Sequence, residues 1–133
     1  MGVDITLHIE VKIAGRWEHY GRSPDFRDYA LFSLMGKGWN GPPIAEPRGM
    51  PEDASAVTRV DYDFWRGDCY SPSWLSSQEV AELVRRHTPH PTTRPVEWWS
   101  TDYFGYLFQS DSWTEVELPA GVEDFRFVFW FDQ

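Results

Sequence analysis

The feature that most constrains the fold is the alternation of apolar and polar residues at both ends of the chain. Five apolar residues occupy every second position from Ile5 to Ile13, and four phenylalanines do so from Phe125 to Phe131. A period of two is typical of a strand with one buried face. Both terminal segments are therefore predicted to be strands, and pairing them with each other would bury both apolar faces.

Signals for further elements lie between the two terminal strands. Ala14-Gly15 predicts a turn into a second strand, Arg16 to Tyr20. Ser23-Pro24 predicts the start of a first helix that ends at Gly36. A second helix is predicted from Glu52 to Trp65, followed by an extended run from Cys69 to Leu75.

The second and third helices carry specific side-chain predictions. Val57, Val60 and Phe64, together with Tyr62, are expected to face the core from the second helix. Ser76 followed by Glu79 is a capping box, which predicts the start of the third helix. We interpret the chain as one domain, residues 1–133, of the α+β class. Its sheet is mostly antiparallel and includes both terminal strands, with about three helices packed on one face.

Charge and cysteine content limit the partners and the compartment. The formal net charge is −9, and such a field repels duplex nucleic acid, so no duplex partner is predicted. The acidic residues serve solubility, or they form a face that meets a basic partner. One cysteine, Cys69, and a start that lacks a basic, apolar leader favour the cytoplasm. No apolar run is long enough for a membrane-spanning helix, so no membrane partner is predicted.

A loop rich in proline and glycine, residues 41–51, carries Glu46 and Arg48 on a stiff backbone. Preset backbone angles reduce the entropy lost on binding, and the guanidinium fork of Arg48 suits a phosphate or a carboxylate. The alternative is that Arg48 ties its own loop to the domain through backbone carbonyl groups. Sequence alone leaves both interpretations open.

A second candidate site follows the second helix. It consists of two indoles, a phenol and two hydroxyls, on Trp65, Tyr70, Ser71, Ser73 and Trp74. Such a set could hold a flat ring and bind its polar edge. The alternative is that both indoles belong to the core and the serines act as caps or face solvent.

Other groups support fewer predictions. Trp98 and Trp99 cannot both point inward on one strand, which favours a homo-oligomer contact. Of the four histidines, only His87 and His90 are close in sequence, so no metal and no cofactor is predicted. No nucleotide-binding or nucleophile motif is present, and the chain is not predicted to be an enzyme.

Four stretches of the chain resemble a family of small uncharacterised proteins found in tailed phages and bacterial genomes. They are MGVDI at 1–5, PIAEPRGMP at 43–51, GDCYSPSWL at 67–75 and VFWFD at 128–132. The corresponding family patterns are M-G-V-D-I-H, P-R-G-x-P, H-S-x-S-W/Y-L and V-F-W-F-D, in the same order across nearly the whole chain. The resemblance carries no established activity with it.

The resemblance also identifies positions. The residues that match the family patterns and are carried over as a possible site are Arg48, Ser71, Ser73 and Trp74. Thr6 and Tyr70 stand where the family patterns have histidines, so this chain departs from whatever role those histidines have.

Two functions of different classes follow. The first is a phage-type small-molecule binding protein that sequesters a host nucleotide signal without catalysis, an anti-defence sponge acting in the host cytoplasm. It would stack the base on Trp65, Tyr70 or Trp74 and hold a phosphate with Arg48, so loop 43–51 must lie beside run 67–75. The alternative is an acidic protein-interaction module or inhibitor that binds a basic host protein surface. An enzyme that uses Glu46, Asp68 and Cys69 ranks below both.

Overall fold

A computed structural model describes residues 2–23, 27–37, 41–87 and 120–133. Its strands are β1 (Asp4–Ile13), β2 (Arg16–Arg22), β3 (Cys69–Ser76) and β4 (Val122–Asp132). Its helices are α1 (Tyr29–Phe32), which is followed by a π-helical turn (Ser33–Lys37), α2 (Ala56–Trp65) and α3 (Ser77–His87). The strands form one antiparallel sheet in the order β2-β1-β4-β3. The predicted α+β class, with both terminal strands in the sheet, is confirmed. The predictions for residues 96–118 lie outside the described residues.

The two terminal strands pair at the centre of the sheet. Leu7 lies opposite Phe129 and Ile9 opposite Phe127, and the register runs from Asp4 to Ile13 with one shift near its end. Because side chains alternate along a strand, every second residue of both strands points to the same apolar face. These residues form the centre of a buried core that also includes Leu31, Phe32, Met35, Leu75, Val80 and Leu83.

Helices α1 and α3 cover the apolar face. Phe32 packs edge-on against Phe131, with ring centroids 5.4 Å apart. The predicted capping box is confirmed: Ser76 N donates to Glu79 Oε1 over 2.9 Å, and Glu79 N donates to Ser76 Oγ over 3.3 Å. The predicted start of the first helix at Ser23-Pro24 is wrong. The helix begins after Asp28, whose Oδ1 accepts a hydrogen bond from Leu31 N.

Helix α2 lies on the opposite, polar face of the sheet, so the helices do not all share one face as predicted. Its cap is Ser55. The predicted orientation of α2 is also wrong in its main point: Thr58 and Asp61 meet the sheet, whereas Val60 is 70% exposed. The polar face of the sheet presents charged and hydrogen-bonding side chains. The polar side of α2 supplies hydrogen-bond partners for them, whereas its apolar side would leave them without partners.

Candidate functional site

The polar face of the sheet carries a group of buried polar side chains that we call the polar cluster. Its members are Thr6, His8, Glu10 and Arg126 on the central strands and Thr58 on α2. Buried polar groups destabilise a fold unless they are hydrogen-bonded. The contacts within this cluster therefore determine how α2 is held on the sheet.

An ion pair occupies one end of the polar cluster. Arg126 Nε donates to Glu10 Oε1 over 2.9 Å, and Arg126 Nη1 donates to Asp53 Oδ1 over 2.9 Å. Glu10 Oε2 accepts hydrogen bonds from Ser55 N and Thr58 Oγ1. Burial would raise the pKa of Glu10, but these hydrogen bonds outweigh it and hold the pKa below the ordinary value. Glu10 is thus an ionised anchor for the start of α2.

A chain of three side chains occupies the other end. His8 Nε2 lies 2.7 Å from Asp61 Oδ2, and His8 Nδ1 lies 2.9 Å from His19 Nε2. Burial lowers the pKa of His8 despite the opposing hydrogen bond to Asp61, and burial lowers the pKa of His19 as well. Both rings are therefore neutral near pH 7. The carboxylate assigns the proton of His8 to Nε2, which leaves its Nδ1 as an acceptor facing His19.

A β-bulge in β2 makes this arrangement possible. Arg22 pairs with His8 and His19 pairs with Glu10, so Tyr20 is an extra residue between Gly21 and His19 in the register. His19 and Arg22 are three positions apart, so in a regular strand without the bulge they would point to opposite faces of the sheet. With the bulge, both reach the polar face, and Arg22 Nη1 lies 4.0 Å from Asp61 Oδ2.

The outer side of α2 carries an apolar stripe, which we define as Val57, Val60 and Phe64. These residues are 53%, 70% and 80% exposed, and they recur at the spacing of one helix face. Together with Ala56 and Asp61 they line an open hollow of about 590 Å³. Apolar side chains aligned in this way on a surface are typical of a binding site for another molecule.

The loop around Arg48 lies along the outer edge of β3. Arg48 N donates to Ser73 Oγ over 3.1 Å, and Gly49 N donates to the Pro72 carbonyl over 2.9 Å. The Arg48 side chain donates to Glu79 Oε1 over 2.7 Å and to the Trp74 carbonyl over 3.1 Å. The loop thereby satisfies part of a strand edge that would otherwise be open to pairing.

The predicted site residues do not all lie together. Arg48, Ser73 and Trp74 are brought together, and the Arg48 Cζ atom lies 4.4 Å from the centroid of the Trp74 ring. Two others are dispersed: Tyr70 packs against Phe131 in the core, and Trp65 packs against Phe64.

The remaining predicted positions are Glu46, Ser71, Trp98 and Trp99. Glu46 is exposed. Ser71 has a φ of 53°, a left-handed backbone that is unusual for a residue other than glycine. Trp98 and Trp99, predicted to form an interface, lie outside the described residues.

Sequence reasoning missed the His8–His19–Asp61 chain. His8 and His19 are eleven positions apart, and Asp61 lies on a helix that was expected to turn this side outward. One signal was available: His8 and Glu10 both fall on the polar side of a strand predicted to pair with the last strand. A polar face on a central strand needs partners from an element that covers it.

Comparison with known proteins found no family model, no curated protein and no solved structure that matches this chain. In the part of the chain that the structure describes, no helix is long and apolar enough to cross a membrane. In that same part, no three histidine, cysteine or acidic side chains converge to hold a metal ion.

Proposed function

We propose that this protein is a protein-interaction module. It docks a basic amphipathic helix of another protein on the apolar stripe of α2. The observation that carries the proposal is the exposure of three large apolar side chains at helical spacing, with Phe64 80% exposed. Helix-in-groove recognition uses anchors at this spacing.

The outward orientation of the stripe is held by specific contacts. On the inner side of α2, Thr58 Oγ1 donates to Glu10 over 2.8 Å, and Asp61 accepts from His8. The ring of Tyr62 packs edge-on against Trp130, with centroids 5.3 Å apart. Rotating α2 to bury the stripe would break all three contacts and leave buried polar groups without partners. The exposed stripe is therefore a property of the stable fold.

Charge favours a basic partner. The exposed acidic residues on α2 and on the segments that flank it are Glu52, Asp53, Asp63 and Asp68, of which Asp53 pairs with Arg126. Of the cations on and beside α2, Arg59 donates to the carbonyl groups of Pro51 and Glu52, and Arg66 is exposed at the end of the helix, so the acidic residues outnumber them. The chain as a whole carries a formal charge of −9. A partner helix with lysine or arginine beside its apolar face would meet complementary charge.

The size of the surface indicates a weak, transient contact. One ten-residue helix offers much less than the roughly 1,200 Å² of total buried area that stable complexes need. Two copies joined only by their α2 stripes would be equally limited, which favours a separate, extended partner over self-association through this face.

The test uses synthetic helical peptides as probes. One peptide has leucines at positions i, i+3 and i+7 flanked by lysines, a second has the same leucines flanked by glutamates, and a third is a scrambled version of the first. Binding to the purified protein is followed by fluorescence anisotropy and by NMR shifts of the backbone amides. We expect the lysine peptide alone to bind, with shifts at Val57, Val60 and Phe64, and salt to weaken it.

Variants separate this site from non-specific attraction. Val60→Asp and Phe64→Ser should abolish binding, whereas Tyr29→Ser, which removes an exposed aromatic ring on the opposite face, should leave it unchanged. Equal binding of the lysine and scrambled peptides, or binding that survives Phe64→Ser, would contradict the proposal. A concentration-dependent dimer lost in Val60→Asp would identify a second copy as the occupant instead.

The nucleotide-binding function predicted from sequence remains a second candidate, because loop 43–51 and run 67–75 do lie side by side. The site would be the corner where Arg48 lies over Trp74. The donors of Arg48 are engaged by Glu79, so a phosphate would have to displace that carboxylate. A thermal-shift screen of nucleotides should therefore give larger shifts with Glu79→Gln than with the native chain, and none with Arg48→Ala.

A further inference from the structure

We infer that His8 and His19 form a binding site for a borderline divalent cation such as Zn²⁺. The two histidines lie on paired strands, and His8 Nδ1 and His19 Nε2 face each other at 2.9 Å.

The orientation of His8 is that of a metal ligand. Its other ring nitrogen, Nε2, lies 2.7 Å from the carboxylate of Asp61. Histidines that bind metals almost always donate their second N–H to a carboxylate, a carbonyl or water, which fixes the tautomer and makes the free nitrogen a better donor to the ion. Asp61 thus directs the lone pair of His8 Nδ1 toward His19.

The distance between the two ring nitrogens needs only a small change to admit the ion. Zn–N bonds of about 2.0–2.1 Å in a tetrahedral site place two ligand nitrogens about 3.4 Å apart. The observed separation is 2.9 Å, so the ion would replace the proton that now lies between the rings, and the rings would separate slightly. His19 can make this movement because it is half-buried on β2, at one end of the strand order.

The remaining coordination positions would be filled by water. Only two protein ligands converge here among the described residues, in keeping with the lack of any three-ligand group in that part of the chain. The neighbouring Trp130, with its ring centroid 5.6 Å from that of His8, is buried, and its indole N–H has no acceptor among the described residues. A buried donor of this kind is usually satisfied by an oxygen atom, and a metal-bound water would supply one.

Isothermal calorimetry with Zn²⁺ on the full chain at neutral pH tests the inference. We expect one site in the native chain, lost in His19→Gln and weakened about 10- to 100-fold in Asp61→Asn. The matched control is the double variant His87→Gln/His90→Gln, which removes the only histidines close in sequence and should bind as the native chain does.

Long-range ¹H–¹⁵N NMR of the native chain identifies the ligating atoms without any substitution. We expect Zn²⁺ to shift the resonances of His8 Nδ1 and His19 Nε2 and to leave Nε2 of His8 protonated. Absence of one-to-one binding, binding that survives His19→Gln, or binding that is lost in the His87/His90 variant would each overturn the inference. A change confined to the resonances of His87 and His90 would overturn it as well.

Discussion

Arg126 on the last strand and Glu10 on the first form a buried ion pair, with Arg126 Nη2 2.7 Å from Glu10 Oε1 and the Glu10 side chain fully buried. The guanidinium carbon of Arg126 also lies 4.1 Å from the centroid of the Trp17 ring on β2. One side chain thereby joins three strands on the polar face. The pair also orders α2, because the second oxygen of Glu10 accepts hydrogen bonds from the residues that begin that helix.

Arg126→Met should destabilise the protein strongly. The substitution leaves the Glu10 carboxylate buried without its cation, and breaking a buried pair in this way costs about 3–5 kcal/mol. Urea unfolding followed by circular dichroism measures the loss. Arg85→Met is the control, since it removes an exposed cation that pairs with Glu82 on α3, and its effect should be close to zero. Equal effects of the two substitutions would show that the buried pair does not hold the sheet.

Substitutions on the two sides of α2 should differ in their effect on the free energy of unfolding. Thr58 is fully buried, and its hydroxyl donates to Glu10 over 2.8 Å. Thr58→Val keeps the shape but removes the donor, which should cost about 1–2 kcal/mol of unfolding free energy. Val60→Ser, on the exposed side, should change it by no more than about 0.5 kcal/mol. The reverse order in chemical denaturation would mean that α2 binds the sheet by its apolar side.

The β1–β2 turn offers a stabilising substitution. Ala14 has a φ of 51° and Gly15 a φ of 74°, so both central residues adopt the left-handed conformation of a type I′ turn. Asparagine tolerates this conformation better than alanine does, and Ala14→Asn should raise the unfolding free energy by about 0.5–1 kcal/mol. Thermal and urea unfolding check it. A neutral or negative effect would indicate that the turn is not strained at Ala14.

The pH dependence of stability should report on Glu79. Burial would raise its pKa, but the hydrogen bonds from Arg48 and Ser76 outweigh burial and hold the pKa below the ordinary value. Since the folded pKa is the lower one, this stabilisation is present above the unfolded value of 4.5 and is lost as the pH falls through the folded value. The native chain should therefore exceed Glu79→Gln in stability at pH 7, and the difference should shrink below about pH 4.5.

Glu79→Gln keeps a side chain that can complete the capping box, so the comparison isolates the ionised contact with Arg48. Urea unfolding at pH 7 and pH 3 is the measurement. A difference between the two proteins that is the same at both pH values would show that the charge of Glu79 contributes nothing to stability.

Local patterns in the sequence were enough to predict most elements. The alternation around Leu7 and Phe129 identified the two terminal strands, and the Ser76–Glu79 spacing identified the start of α3, because both signals depend on the local geometry of a strand or a helical turn. The same kind of reasoning failed for α2. An apolar stripe at positions 57, 60 and 64 normally faces a core. It faces outward here because α2 packs on the polar face of the sheet and needs its polar side there.

The candidate sites, too, were determined partly by the sequence and partly by the tertiary structure. Sequence alone determined that Arg48 sits on a stiff loop, and it left open whether its guanidinium binds a ligand or ties the loop. The tertiary structure decided that its donors meet Glu79. It also decided the contact of His8 with His19 and Asp61, because a strand register, a bulge and a helix position must combine to bring those atoms together. Hydrophobic periodicity is a local property of the chain, whereas the pairing of buried polar groups depends on which distant segments pack against each other.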